Sequence, residues 1–481
     1  MDNKALAQAA IRERAEEFTA LSHEIWGYAE LSLKEYRSAA RYIELLKREG
    51  FTVTEKLGGI DTAFSGSFGA GRPVIGILGE FDALSGLSQA AGETSPRPLV
   101  PGGAGHGCGH NMLGAAAFAA ACGVKRFLEL SGLPGTVVFY GCPGEEGGAA
   151  KAYLARDGVW KNLDAALSWH PGDTFEVTTG TNNACTQVLY KFTGVPAHAA
   201  GDPEHGRSAL DAVELMNVGV QFLREHMKDE ARIHYAIIDG GGVSPNVVQP
   251  RAGVLYMVRS RDVPDTLALQ ARVDKIAEGA ALMTETTFER IFVDGTADTL
   301  PNTPLEKCLH DNMAALPIPD YTPAEWAYAA ALRETYPAPD RLPGLGAERE
   351  SAIAERVAQL SDGGRKALND FLLPFYSGED FRPGSTDVGD VSWLTPTAQL
   401  TAVCFPAGAP GHSWQNVSCG ASSIGDKGLL WAAQALCGAA ADLLADSSLL
   451  SDARAEFQRR TARHGYVCPI PAGVKPYVIE G

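Results

Sequence analysis

Basic residues are scarce in this chain: 41 Lys and Arg stand against 58 Asp and Glu, a formal net charge of −17. That imbalance repels nucleic acid and anionic membrane surfaces, so neither is expected as a partner, although a local arginine or a bound cation can still attract a small anion. Long hydrophobic runs are missing as well. Met112 to Val124 is too short for a bilayer, and Leu429 to Ala441 is short and interrupted by Gln434. The N-terminal segment lacks the basic start and apolar core of a signal peptide, so a cytoplasmic location is expected. Nine cysteines, an odd number without regular spacing, fit reduced thiols better than a disulfide framework. Three motifs are absent too: a Gly-x-Ser-x-Gly elbow, a phosphate loop ending in Gly-Lys-Ser/Thr, and a dinucleotide Gly-x-Gly-x-x-Gly. Their absence argues against a serine hydrolase and a nucleotide enzyme.

What the chain does contain is a loop, Gly102 to Asn111, in which His106, Cys108 and His110 alternate with glycine just before a long apolar helical pattern. In an extended backbone residues two apart face the same way, so the three side chains could converge on an ion, with the glycines allowing close approach. The length allows up to three domains, or one large domain and a small one. Two helices are expected over Ala5 to Lys47, broken near Gly27 to Glu30, followed by strands at 51–55, 62–68 and 73–78. After the loop come a helix from Met112 to Leu130, a strand at 135–141 running into Glu145 and Glu146, a helix at 149–157, and a strand at 164–168 ending at His170. This alternation predicts an α/β fold, a mostly parallel sheet sandwiched by helices, with the polar residues at strand C-terminal ends where such sheets bind ligands.

Beyond Asn182 the pattern changes. Strands at 184–193, 233–239, 253–261 and 287–294 and helices at 208–227 and 265–283 predict an inserted α+β unit, two helices on one antiparallel sheet. The chain therefore divides into residues 1–182 and 296–481 and an insertion at 183–295. The acidic, proline-punctuated stretch from Pro317 to Leu345 has no clear place in this scheme. A strand at 400–405 leads to Gly411-His412-Ser413, and helices at 427–444 and 450–460 close the chain.

Cys108, His110, Glu145, Glu146, His170 and His412 together offer the sulfur, nitrogen and carboxylate donors that two ions of zinc type require, with one carboxylate left over to move protons. Several stretches, in order, resemble the co-catalytic metal-dependent amidohydrolase family, which includes aminoacylases, glutamate-releasing carboxypeptidases and auxin-conjugate hydrolases. They are His23 to Leu31, His106 to Asn111, Pro143 to Gly148, Asp164 to His170, Gly194 to Ala199, Gly242 to Val248 and Gly411 to Ser413. Gly384 to Trp393 and Pro410 to Gln415 are similar to the branch that cleaves p-aminobenzoyl-glutamate. The resemblance implies two divalent ions per chain, zinc or manganese, on Cys108, His110, Glu146, His170 and His412, with Glu145 as general base. It further implies His198 as oxyanion donor and Asn246 and Arg259 as holders of a substrate carboxylate.

The resemblance also implies that residues 1–182 and 296–481 form the catalytic domain and that the insertion at 183–295 is a lid and dimerisation domain. The substrate class it implies is a small N-acyl or N-aroyl amino acid, and the assembly a homodimer through that lid, with a second subunit type as a further partner. Two departures stand out. Asn111 replaces the usual Asp, and Glu80-Phe81-Asp82 replaces a paired-aspartate pattern, which makes Asp82 the candidate support for His110. His106 is not a ligand in the family pattern. Two other functions are compatible with the chain: a deacylase or dipeptidase acting on an uncharged substrate, and an idle binding or adaptor protein.

Overall fold

The computed structural model describes residues 2–344, 351–462 and 464–479. Its eleven strands among these residues are β1 Thr52–Glu55, β2 Phe64–Ala70, β3 Val74–Glu80, β4 Gly135–Cys142, β5 Ala165–Gly172, β6 Glu176–Thr178, β7 Ala184–Thr193, β8 Arg232–Asp239, β9 Arg251–Ser260, β10 Thr287–Thr296 and β11 Thr397–Val403. They form a seven-stranded sheet in the order β1-β2-β4-β3-β5-β11-β6 and a four-stranded sheet in the order β10-β7-β9-β8.

The chain folds into two compact units. One comprises Met1–Thr181, Leu300–Arg382 and Val391–Tyr466; the other comprises Asn182–Thr299, Pro383–Asp390 and Val467–Gly481. In the first, β4, β3, β5 and β11 are neighbours and mutually parallel, while β1, β2 and β6 add antiparallel edges. The sheet is thus parallel only in its middle. That middle is what matters for function, because four adjacent parallel strands bring four C-terminal ends to one edge.

Helices flank this sheet. The helix His110–Ser131 is buried along almost its whole length, and its Gly114 to Ala121 stretch lets it lie close to β3. Its Phe118 meets Phe139 of β4 edge-on at 6.1 Å between ring centroids, and on the opposite face of β4 Tyr140 meets Trp160 at 4.8 Å. Both faces are therefore covered by aromatic packing. A Cβ at Gly123 would come within 2.7 Å of Ile11 and 2.8 Å of Cys437, so glycine there permits the close crossing of three helices. The third, Ser423–Ala445, is apolar and long enough to cross a membrane, but 83% of its most apolar window is buried inside this unit.

Three helices, not two, open the chain: Asn3–Glu13, Ala15–Tyr28 and Tyr36–Arg48. The extra break falls at Arg14, where neither glycine nor proline marks it; the Arg14 guanidinium pairs with Glu17 and Glu49, fixing the turn by tertiary contacts. Within the stretch from Pro317 onward, Thr322 and Glu325 form a capping box that starts the helix Pro323–Arg333. Ile318, Tyr321, Trp326 and Tyr328 pack against the main core; Leu345, its last residue, lies outside the described residues.

The second unit has the helices Ala209–Arg224 and Val263–Thr284 on one face of its antiparallel sheet. Tyr256 of β9 donates to Asn217 of the first helix, and Thr186 of β7 to Gln270 of the second. None of the nine cysteines forms a disulfide.

Candidate metal centre

Apart from Cys108 and His110, which come from the glycine-rich loop and the helix it starts, the donor groups of the first unit stand on or beyond the ends of central strands. Glu80 closes β3, Glu145 and Glu146 lie just past β4, His170 stands on β5, and His412 follows β11. The glycine-rich loop does not run extended, as alternation suggested. It closes in turns, with Gly107 N–H bonded to Gly105 O and Gly109 N–H to His106 O, and the helix begins at His110 itself. Gly109 has φ +79°, and a Cβ there would lie about 3 Å from Met112, Phe405 and Pro171, so glycine is required for packing against protein. His106 consequently points away: its Nε2 donates to Ile25 O at 3.1 Å, and burial, reinforced by His110, pushes its pKa down to about 4.

Cys108, His110 and His170 offer one ligand atom each, all within 4.8 Å of one another; Cys108, Glu146 and His412 form a second such group, and Glu80, His110 and Glu145 a third. The Cys108 Sγ to His170 Nε2 distance is 3.3 Å, as is that from His412 Nε2 to Glu146 Oε1. His170 Nδ1–H donates to Pro171 O at 2.7 Å and His110 Nδ1–H to Asp82 Oδ1 at 2.8 Å, which turns both Nε2 atoms toward the donor group, where an ion would take them as ligands. His110 Nε2 and Glu146 Oε1 are buried with no hydrogen-bond partner. Buried polar atoms seldom go unsatisfied, and a donor set of thiol, imidazole and carboxylate sharing one thiol suits a pair of cations. His412 is the one exposed member, held at φ 52° in a left-handed conformation rare outside glycine.

The electrostatics fit a cationic occupant. Burial pushes the Cys108 thiol well above its usual pKa and raises Glu146, with Asp82 adding to the latter. For Asp82, burial is outweighed by the His110 hydrogen bond and charge, and its carboxyl is held down at about 2. Burial also opposes charge on Glu80, but Lys151 and then His110 and His170 outweigh it and keep the carboxyl low.

Asp82 supports His110 as the sequence suggests and does more besides, whereas Glu35 was not legible from the sequence. Asp82 accepts not only from His110 but from the Glu146 N–H at 3.0 Å and Ser32 Oγ at 2.7 Å. Glu35, fully buried, accepts from Leu33 N–H and Gly144 N–H, both at 2.8 Å, and so fixes the loop that carries Glu145 and Glu146. Burial first, then Asp82, pushes its pKa up to about 8. Asn111 is an amide for a reason: Nδ2 donates to Ser22 and to Gly420 O, which a carboxylate could not do.

The remaining candidates sit in the second unit. His198 is exposed, and its Nδ1 accepts from the N–H groups of Ala200 and Gly201, which puts the ring proton on Nε2. Asn246 lies on the adjacent segment, its carbonyl bonded to Ala199 N–H at 3.0 Å. Arg259 is on β9, opposite Arg232; its Nε contacts Met257 Sδ, and among the described residues no carboxylate pairs with it.

A sequence profile of peptidase family M20/M25/M40 matches residues 76–382. The chain is 44% identical over 477 residues to one of the subunits of p-aminobenzoyl-glutamate hydrolase from Escherichia coli (strain K12), covering 97% of both chains. The chain belongs to peptidase family M20/M25/M40. Xaa-Arg dipeptidase of Mus musculus is 30% identical over 60% of this chain and 65% of its own. Among solved structures, an aminobenzoyl-glutamate utilization protein from Klebsiella pneumoniae shares the fold at TM-score 0.56 and 16% identity, over 88% of this chain and 98% of that one. A dinuclear metal binding peptidase of the M20 family from Bacillus subtilis does so at TM-score 0.53 and 16% identity, over 90% and 99%. The protein is accordingly a metal-dependent amidohydrolase of the M20 type, with an α/β catalytic fold and an inserted α+β unit.

Proposed function

We propose that this M20 protein cleaves the amide bond of p-aminobenzoyl-glutamate or a similar N-aroyl or N-acyl amino acid, releasing the amino acid. The observation that carries this is the 44% identity across 97% of both chains to a hydrolase subunit named for that substrate, together with the thiol, imidazole and carboxylate donors gathered in one place. Cys108, His110, His170, Glu146 and His412 hold two divalent ions, zinc or manganese, and the thiolate of Cys108 favours zinc. The ions supply Lewis acidity to the substrate carbonyl and lower the pKa of the attacking water.

The chain's own residues do the rest. Glu145 takes a proton from the attacking water and returns it to the departing amine nitrogen. Asp82 and the Pro171 carbonyl hold the two imidazoles in the tautomer that presents Nε2 inward, and Glu35 holds the loop that aims Glu145. His198, with its proton on Nε2, donates to the developing oxyanion; Asn246 and the unpaired Arg259 guanidinium hold the substrate carboxylate. His198 acts across a homodimer formed through the second unit. The exposed apolar residues Leu215, Val218 and Phe222 on one helix, and Tyr235, Ile237 and Ile238 on the open-edged strand β8, support such a contact. A second, different chain is a further partner, since the Escherichia coli relative is named as one subunit of its hydrolase. The reaction takes place in the cytoplasm.

The test is a comparison of p-aminobenzoyl-glutamate with its α-amide. The acid is expected to be cut far faster, because the amide leaves the guanidinium of Arg259 unpaired. Equal rates would favour a deacylase or dipeptidase acting on an uncharged substrate instead.

A further inference from the structure

Glu80 is outside the five ligands of the two-ion reading, yet its carboxylate groups with His110 and Glu145 and faces the same imidazole. Residues 80 and 82 are two apart at the end of β3 and so lie on one side of the chain. They bracket His110: Asp82 takes the Nδ1 proton at 2.8 Å, while Glu80 Oε2 lies 3.3 Å from Nε2. That second approach is not a hydrogen bond, since His110 Nε2 has no hydrogen-bond partner. Both lie where solvent does not reach, His110 fully buried and Glu80 2% exposed, and they stand at ion-pairing distance when the ring carries both protons. A divalent ion that displaces the Nε2 proton would have both the nitrogen and the carboxylate oxygen as donors. Glu80's other oxygen is ion-paired with Lys151 Nζ at 2.8 Å, and Lys151 is also fully buried. A lysine sunk beneath a metal centre needs a reason. Here it offsets the charge of one carboxylate and fixes that carboxylate's plane, so that the free oxygen points at His110.

We propose that Glu80 is a sixth protein donor, completing the coordination of the ion held by His110 and His170, and that Lys151 is the positioning residue that presents it. The inference rests on the two-ion reading of the site. Cys108, His110 and His170 give that ion three protein donors, and Glu80, 3.3 Å from His110 Nε2, would add a fourth. Glu80 and Glu145 both reach within 4.8 Å of a His110 ligand atom but differ in anchorage: the first is held on a strand end by a buried ion pair, and the second sits on a loop beyond β4.

The test uses the full chain, stripped with a chelator and titrated with Zn²⁺ against a competing colorimetric chelator, and separately loaded with Co²⁺ for its absorption spectrum. Glu80→Gln/Lys151→Met removes both charges of the buried pair at nearly constant volume. It is expected to bind one ion as wild type does and the other about tenfold or more weaker, with a changed cobalt d–d spectrum. Lys151→Met alone keeps the carboxylate and is expected to lose less. Glu80→Asp keeps the charge opposite Lys151 but withdraws the oxygen by one methylene, and should weaken the same ion even if the double variant folds poorly. Wild-type affinity for both ions and an unchanged cobalt spectrum in Glu80→Asp and the double variant would overturn the proposal. So would equal weakening in Lys151→Met and the double variant, since the ion pair itself would then be what matters. A wild-type chain that takes up two ions while the Glu80 variants do so equally well fails this inference alone; a wild-type chain that takes up none fails the two-ion reading with it.

Discussion

At the scale of single residues, the adjacent pair Glu145 and Glu146 carries the sharpest distinction. Glu146 shares a group of donor atoms with Cys108 and His412, whereas Glu145 does not join that group. Glu145→Gln is therefore expected to retain its metal and lose about 10²–10⁴-fold in turnover, whereas Glu146→Gln should also lose metal affinity. Elemental analysis beside kinetics checks both, and the opposite pattern would reverse the two roles. Asp82 is the next case. Asp82→Asn can no longer accept the His110 proton and the Glu146 N–H together with the same charge, and about 10–100-fold weaker metal binding is expected, read by chelator competition. Cysteine and histidine donors were legible in the sequence because those residue types, clustered with glycine, have few other reasons to occur together. Glu35 and Lys151 were not: a lone acid and a lone lysine look solvated in a sequence, and only burial reveals that each holds part of the site.

At the scale of elements, strand ends could be read because alternation of apolar strands and helices is a period visible in sequence, and β3, β4, β5 and β11 all lie close to where that reading puts them. What was hidden is set by contacts from far along the chain. The break at Arg14 is fixed by Glu49, and the turns of the glycine loop are fixed by side chains such as Met112 and Phe405. The helix Thr303–Ala314 offers a prediction of its own. Its Glu306 is buried, accepts from Thr179 Oγ1 at 2.8 Å and from Ser377, and burial pushes its pKa up to about 7. The folded chain then holds a proton that the unfolded chain releases, so the stability this group contributes is full below the unfolded pKa near 4.5 and is lost as pH rises to about 7. Glu306→Gln mimics the protonated form. Its stability relative to wild type should grow by on the order of 3 kcal/mol between about pH 4.5 and pH 8, measured by denaturant unfolding. A pH-independent difference would contradict the shift.

At the scale of the whole molecule, the candidate groups fall in different units: one holds the metal-donor side chains, the other His198, Asn246 and Arg259. If His198 serves the partner's site, Glu145→Gln and His198→Ala chains, each inactive, should complement when mixed. Free exchange makes about half the dimers mixed, each with one intact site, so activity should recover to roughly a quarter of wild type. Demonstrated exchange without recovery would place His198 in its own chain's site. The central claim is that this chain gathers two catalytic ions and uses Glu145 to move protons. It is tested most directly by measuring metal content and p-aminobenzoyl-glutamate hydrolysis on the same preparations of wild type and Glu145→Gln. Two ions in both proteins, with turnover in the wild type alone, is the expected result; full turnover by wild-type protein that contains no metal would contradict it.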